Sequence, residues 1–265
     1  MRISMYKALW GMDGDMESQF RRIAEAGYSG IEAHPPADEH TESFKQLLQQ
    51  YNLDYIALIA TSGKNHALSF ARQVERCLDL NPVLINSHSG KDSMPFAEQV
   101  AFFQETLRIE AQAGVPIAHE THRGRAMFTP WTTKLLVEEL PALKLTADLS
   151  HWCCVCESLL EDQQECPTFL FRHVVHIHAR VGYAEGPQVP HPGAPEYERE
   201  LHAHEQWWRE ICLKRQEEGQ HLMTFTAEYG PPGYMHTLPF TNQPVSDLWE
   251  VCSWMAKRLE KQYMT

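Results

Sequence analysis

The sequence predicts one (β/α)8 barrel domain over residues 1–265. Three observations lead there. β-rich runs alternate with longer amphipathic runs along the chain. There are eight of the former, the number that closes a barrel. The length of 265 residues is close to the roughly 250 that this architecture takes. The β-rich runs are residues 2–9, 30–33, 55–60, 83–86, 116–119, 144–148, 174–178 and 223–228. Most are continuously apolar rather than alternating, as parallel strands covered by helices are. Between them lie helical patterns. Phe44, Leu47, Leu48 and Tyr51 recur at i, i+3, i+4 and i+7 and share one face. Thr129 followed by Pro130 reads as an N-cap with proline in the first turn, opening a helix that carries Leu135, Leu136 and Leu140. Ser246 is placed to cap the last helix, whose buried face is Leu248, Val251, Cys252, Met255 and Leu259. Gly27 and Gly219 stand where helices should stop. A doubly wound open sheet is the competing architecture, but no GxGxxG follows any of the strands.

Composition narrows the function. The net charge is −12, from 35 acidic and 23 basic residues. Binding to a nucleic-acid backbone draws on Lys and Arg, so that class is disfavoured. No apolar stretch is long enough for a membrane span, and the first residues lack the apolar run of a signal peptide. The seven cysteines are an odd number scattered through predicted elements. They suit reduced thiols in a cytoplasmic protein better than a disulfide framework. Cys153 and Cys156 have CxxC spacing, but no second pair completes a four-thiolate site. The segment 182–197 holds four Pro and three Gly, which forbids a helix or a central strand. Its expected place is over the mouth of the barrel after strand seven.

Polar residues recur where the predicted strands end. Glu32 ends the second, His88 and Glu120 follow the fourth and fifth, Asp148 and His178 end the sixth and seventh, and Glu228 ends the eighth. Glu120 and Asp148 are 28 residues apart, and Asp148 and His178 are 30 apart, about one βα repeat each. In a barrel such positions converge at the C-terminal mouth. Three carboxylates brought together repel one another, and without a cation at least one would take up a proton. One divalent ion held by Glu120, Asp148, His178 and Glu228 removes the conflict. Carboxylate oxygens with a single imidazole suit Mn²⁺ best, with Co²⁺, Mg²⁺ or Zn²⁺ as alternatives. Arg123 and Arg125, soon after Glu120, are candidates for a phosphate contact, and Trp10 and Trp152 for apolar walls.

The stretches GIEAH (30–34), AHETH (118–122), DLSH (148–151), HIH (176–178) and AEYG (227–230) resemble the xylose-isomerase-like sugar isomerases and epimerases. The resemblance extends over most of the chain. It implies a TIM barrel that binds one metal through Glu120, Asp148, His178 and Glu228. It makes His151 and Arg180 substrate contacts, with His88, Glu32 and His122 lining the pocket. By it His178 rather than His176 is the ligand. The implied reaction is isomerisation or epimerisation of a sugar, keto-sugar or related hydroxy-carbonyl compound. The metal acts as a Lewis acid while Glu120 and Glu228 remove and return a proton through an ene-diolate; some members use a hydride shift instead. The implied partner is a small carbohydrate, and the implied assembly a homodimer or homotetramer. Two alternatives share the scaffold. One is a metal-dependent lyase or dehydratase on a keto-sugar or keto-glycoside. The other is a phosphodiesterase resembling the endonuclease IV group, which needs an Asp-x-His pair where this chain reads VPHPGAP.

Overall fold

Eight parallel strands close on themselves in the computed structural model of the chain, which describes residues 1–263. They are β1 (Arg2–Ala8), β2 (Gly30–Ala33), β3 (Asp54–Ala60), β4 (Leu84–His88), β5 (Ile117–Glu120), β6 (Lys144–Ala147), β7 (Val174–His178) and β8 (Leu222–Thr226). Each pairs with its neighbours in sequence, and β8 pairs with β1, so the open doubly wound sheet is excluded. The helices are α1 (Met16–Glu25), α2 (Thr41–Gln50), α3 (His66–Leu78), α4 (Phe96–Ala113), α5 (Pro130–Glu139), α6 (Leu149–Cys156), α7 (Glu165–Leu170), α8 (Glu198–Glu217) and α9 (Leu248–Tyr263). None of them is long and apolar enough to cross a membrane.

The apolar residues separate into two cores. The larger lies between strands and helices and includes Phe20, Phe70, Phe103, Leu136 and Trp208. The smaller, Tyr6, Ile56, Leu84 and Ala118, plugs the barrel interior. Side chains along a strand alternate between faces. Asn86 and Glu120 therefore point the same way as Leu84 and Ala118, two residues nearer the C-terminal mouth. Glu32 is in register with Ile56 and points inward with it. The interior is thus dry at its base and polar at its top.

Local signals explain where helices begin and end. Asp15 accepts a hydrogen bond from the Ser18 N–H (2.8 Å) to start α1. Thr129 accepts from the Thr132 N–H with Pro130 in the first turn of α5, as expected. Gly27 and Gly219 follow the ends of α1 and α8 with φ of +86° and +81°, the left-handed conformation that glycine tolerates best. Some expectations are corrected. Asp247, not Ser246, caps α9, through the Glu250 N–H at 2.8 Å, because its carboxylate competes better for that donor. Leu135 is 51 % exposed; Leu136 and Val137 form the buried face of α5 instead.

No residue of the Pro-rich segment 182–197, expected over the mouth, borders the cavity there. The segment packs behind the loop that follows β8: Gln188 accepts from the Gly230 N–H (2.7 Å) and donates to the Gly230 carbonyl (3.1 Å), and Gly193 lies against Trp254. Its first residue is locked as well. A Cβ on Gly182 would sit 2.7 Å from the carbonyl oxygen and 2.8 Å from the Cα of Ser150, backbone that opens α6. Gly182→Ala should therefore destabilise the fold by about 1–3 kcal/mol. Chemical denaturation checks this, and an unaltered midpoint would contradict the close packing.

Candidate metal centre

The end of each late strand delivers one side chain. Glu120 is the last residue of β5 and His178 the last of β7. Asp148 directly follows β6, and Glu228 lies two residues past β8. All four are buried. One ligand-type atom from each lies within 4.8 Å of the others, so the sequence-predicted set comes together. Asp148 also caps α6: its Oδ1 accepts from the Ser150 N–H at 3.2 Å while Oδ2 turns toward the centre. The helix-cap and ligand geometries of this residue are compatible because they use different oxygens.

The imidazole of His178 is held from behind. Its Nε2 lies 2.9 and 3.1 Å from the two oxygens of Glu32. A proton on Nε2, donated to Glu32, leaves the Nδ1 lone pair facing Glu228 (3.2 Å), Glu120 (3.6 Å) and Asp148 (4.0 Å). That arrangement places electron-rich atoms against one another with nothing between them. Neither Nδ1 of His178 nor Oε1 of Glu120 has a hydrogen-bond partner, although both are buried. An unsatisfied buried polar atom costs roughly 1–3 kcal/mol. The protonation balance reports the same conflict. Burial pushes the Asp148 carboxyl up, and Glu228 and Glu120 add to it against Arg180, to about 6. Burial disfavours charge on His178, yet Glu32, Glu228 and Glu120 outweigh it and hold its proton affinity well above the ordinary value. A divalent cation at Nδ1 would satisfy that orphaned atom, replace that proton and balance the carboxylate oxygens that face it, so the residues fit a metal.

The remaining predicted residues fall into two groups. Glu32 borders the cavity, but its oxygens are already engaged by His178, His176 (3.2 Å), Asn86 (3.0 Å) and Thr226 (2.5 Å). Burial raises its carboxyl, and His178 with His176 more than reverses this, holding it well below the usual range. Its geometry is that of a support for His178. Arg180 is buried, pairs with Asp148 and donates to His151 Nε2 (2.7 Å), with Nη1 3.4 Å from Glu228. His88 Nε2 meets Glu120 Oε2 at 2.9 Å. The ring of His122 stacks between His88 and His151, with centroids 4.4 and 3.8 Å away. His176 lies one layer below, between Glu32 and Thr224. His119 faces outward against Ser89 and Phe103. No cysteine joins a candidate metal group among the described residues.

Two residues escape the sequence reading. Asn86 donates to Glu120 Oε2 (2.8 Å) and Glu32 Oε1 (3.0 Å), tying the two acids together. The signal was available, since a polar amide in the run LINSH shares the inward face with His88. Tyr234, from the loop after β8, stands edge-on to Trp10 (5.1 Å) and under the Arg180 guanidinium (4.8 Å). Nothing local marks it. Trp10 walls the cavity as predicted, whereas Trp152 is buried and donates to the Met127 carbonyl. The cavity holds about 510 Å³ and is bordered by Glu120, Glu228, Arg180, His88 and His122 on one side.

The model of the family described as xylose isomerase-like TIM barrel matches residues 20–211, and the chain belongs to that family. Three solved structures share the fold across the whole chain. A D-allulose 3-epimerase from Methylomonas sp., in complex with D-allulose, has a TM-score of 0.64 and 16% identity over 98% of this chain and 97% of that one. The probable 3-DHS dehydratase AsbF from Bacillus anthracis gives 0.62 and 15% over 97% and 98%. The IOLI protein with a bound zinc atom gives 0.65 and 15% over 100% of both chains. No curated protein matches by sequence.

Two outcomes follow for metal binding, both measurable by isothermal titration. Glu32→Gln should lower divalent-metal affinity by about 10–100-fold, the usual cost of losing a carboxylate behind a ligating His. Retained cooperative unfolding would separate this effect from a folding defect. Affinity should also fall as pH drops through about 6, because Asp148 takes up a proton there and a protonated carboxyl is no ligand. An affinity that holds steady from pH 7 to 5 would remove Asp148 from the ligand set.

Proposed function

We propose that the chain is a divalent-metal-dependent isomerase or epimerase acting on a sugar, keto-sugar or related hydroxy-carbonyl compound. The observation that carries this reading is the pair Glu120 and Glu228. Both border one cavity, come from strand ends on opposite sides of His178, and approach its Nδ1 at 3.6 and 3.2 Å. Glu120, Asp148, His178 and Glu228 would hold the ion, with Mn²⁺ favoured by the oxygen-rich donor set. When bound, it supplies Lewis acidity that polarises a carbonyl and an adjacent hydroxyl and so acidifies the neighbouring C–H.

The protein's own groups do the rest. One of Glu120 and Glu228 accepts the carbon-bound proton and the other returns one. Return to the opposite face gives epimerisation, and return to the neighbouring carbon gives isomerisation. His88 and Asn86 fix Oε2 of Glu120 and leave Oε1 free to act. His151 and Arg180 border Asp148 and Glu228, where substrate oxygens would arrive. Trp10 and Tyr234 set two rings at 85° to each other as an apolar corner for a sugar face. The acidic net charge of −12 is consistent with a small carbohydrate as partner rather than nucleic acid.

The test is proton exchange. Mn²⁺-loaded protein is incubated with ketoses and keto-sugars in deuterated water and followed by NMR. Solvent deuterium should enter the carbon beside the carbonyl with the skeleton intact. Glu228→Gln should slow this by about 10²-fold or more. Loss of water or of an aglycone would assign an elimination instead, and an unchanged rate in Glu228→Gln would sink the role given to that residue.

A further inference from the structure

We infer that the substrate of this site is a neutral, non-phosphorylated compound that turns an apolar face toward Trp10, Leu58 and Tyr234. The inference rests on the isomerase or epimerase reading above and names its substrate class. It begins with charge. Arg180 is the one permanently cationic side chain bordering the cavity among the described residues. Its guanidinium is already paired with Asp148, donates to His151 and Ser150, and lies 3.4 Å from Glu228. The two carboxylates neutralise it. Its Nη1 keeps a free donor, which suits a hydroxyl or carbonyl oxygen. Even with a divalent cation in place, the carboxylates of Glu32, Glu120, Asp148 and Glu228 outnumber the charge of that ion and Arg180 by one. A phosphate monoester brings about −1.5 to −2 more at neutral pH.

Of the other basic residues near the mouth, Lys64 and Lys91 are exposed in the loops after β3 and β4 and do not border the cavity, and three more are turned to other uses. Arg125 donates to the carbonyls of Thr61 (2.9 Å) and Gly90 (3.5 Å). Arg123 lies over the outer side of the Tyr234 ring, 5.0 Å from its centroid, and does not border the cavity. Lys7 is buried on the far side of β1 and donates to the Ala8 carbonyl at 2.6 Å.

A phosphate can also be held without cations, by backbone N–H groups, and barrels often do this with the loops after strands seven and eight. Here many of those donors are taken within the protein. The N–H groups of Ala179, Arg180 and Tyr183 donate to backbone carbonyls. Val181 donates to the Tyr229 hydroxyl, Gly182 to His204 and Gly230 to Gln188. Pro231 and Pro232 have no N–H to offer. The cavity also has an apolar lining of Leu9, Trp10, Ala33, Leu58 and Tyr234. That wall favours C–H surface and would leave a phosphate without hydrogen bonds.

The experiment measures binding of matched pairs to the Mn²⁺-loaded protein: D-fructose with D-fructose 6-phosphate, and D-allulose with its 6-phosphate. Calorimetry gives the dissociation constants. Each neutral sugar should bind at least ten-fold more tightly than its ester. A phosphate ester that binds as well as or better than its neutral partner overturns the inference. Deuterium exchange is scored separately. Neutral sugars that bind but are neither exchanged nor converted would end the isomerase reading while leaving the charge preference standing. Esters that bind better and do exchange would leave the isomerase reading standing and end this inference.

Discussion

Negative charge gathered in a dry place is the constraint on which the rest of this structure depends. Glu120, Asp148 and Glu228 meet around the Nδ1 lone pair of His178, all buried. Water cannot screen them there, and burial with the neighbouring Glu228 and Glu120 pushes the Asp148 carboxyl up. Among the described residues bordering the cavity, one fixed positive charge, Arg180, pairs with Asp148 and Glu228. Glu120 is met instead by Asn86 and His88, on one oxygen alone. The imbalance is centred on the point the four ligand-type atoms share, which is why a cation fits there rather than elsewhere in the barrel.

The layers beneath that point keep it in register. Tyr6, Ile56, Leu84 and Ala118 fill the base of the barrel with apolar volume, so nothing polar is stranded below. Above them Glu32 gathers His176, His178, Asn86 and Thr226. This layer draws on four strands and fixes one imidazole tautomer. Parallel strands make the arrangement rigid: residues two apart share a face, so moving His178 would require moving His176 and its hydrogen bonds as well. The metal-type geometry is built by the fold itself and does not wait for loops to close.

Much of this was legible in the sequence, for a physical reason. A strand end is a fixed offset in a repeated unit, so equal spacing between Glu120, Asp148 and His178 translates into convergence in space once the sheet closes. The strands were legible because covered parallel strands are continuously apolar. What the sequence concealed depends on contacts with no local trace. Glu32 reads as a pocket residue because its partner His178 is 146 positions away. Asn86 is a single amide whose two carboxylate partners sit on other strands. The Pro-rich segment announces that it is irregular but not which surface receives it; only the bidentate bond of Gln188 to Gly230 places it behind the mouth. Helix starts divided along the same line: Thr129-Pro130 is a strong local signal, while Ser246 and Asp247 are adjacent and differ only in how well each oxygen reaches an N–H.

Chemistry and selectivity are therefore built from different material. The atoms that would carry the proton and the ion stand on strand ends braced by the barrel. The aromatic corner comes from loops, Trp10 after β1 and Tyr234 after β8. The segment 182–197 matters to that corner although it borders no part of the cavity: it braces Gly230, four residues before Tyr234, and Tyr234 in turn lies beneath Arg180. A change at Gln188 would act on the pocket through Gly230 and Tyr234 and leave Glu120, Asp148 and His178 where the strands hold them. Such a division lets one barrel keep its reactive centre while its loops select among molecules, and it explains why the acids were readable from spacing while the walls were not.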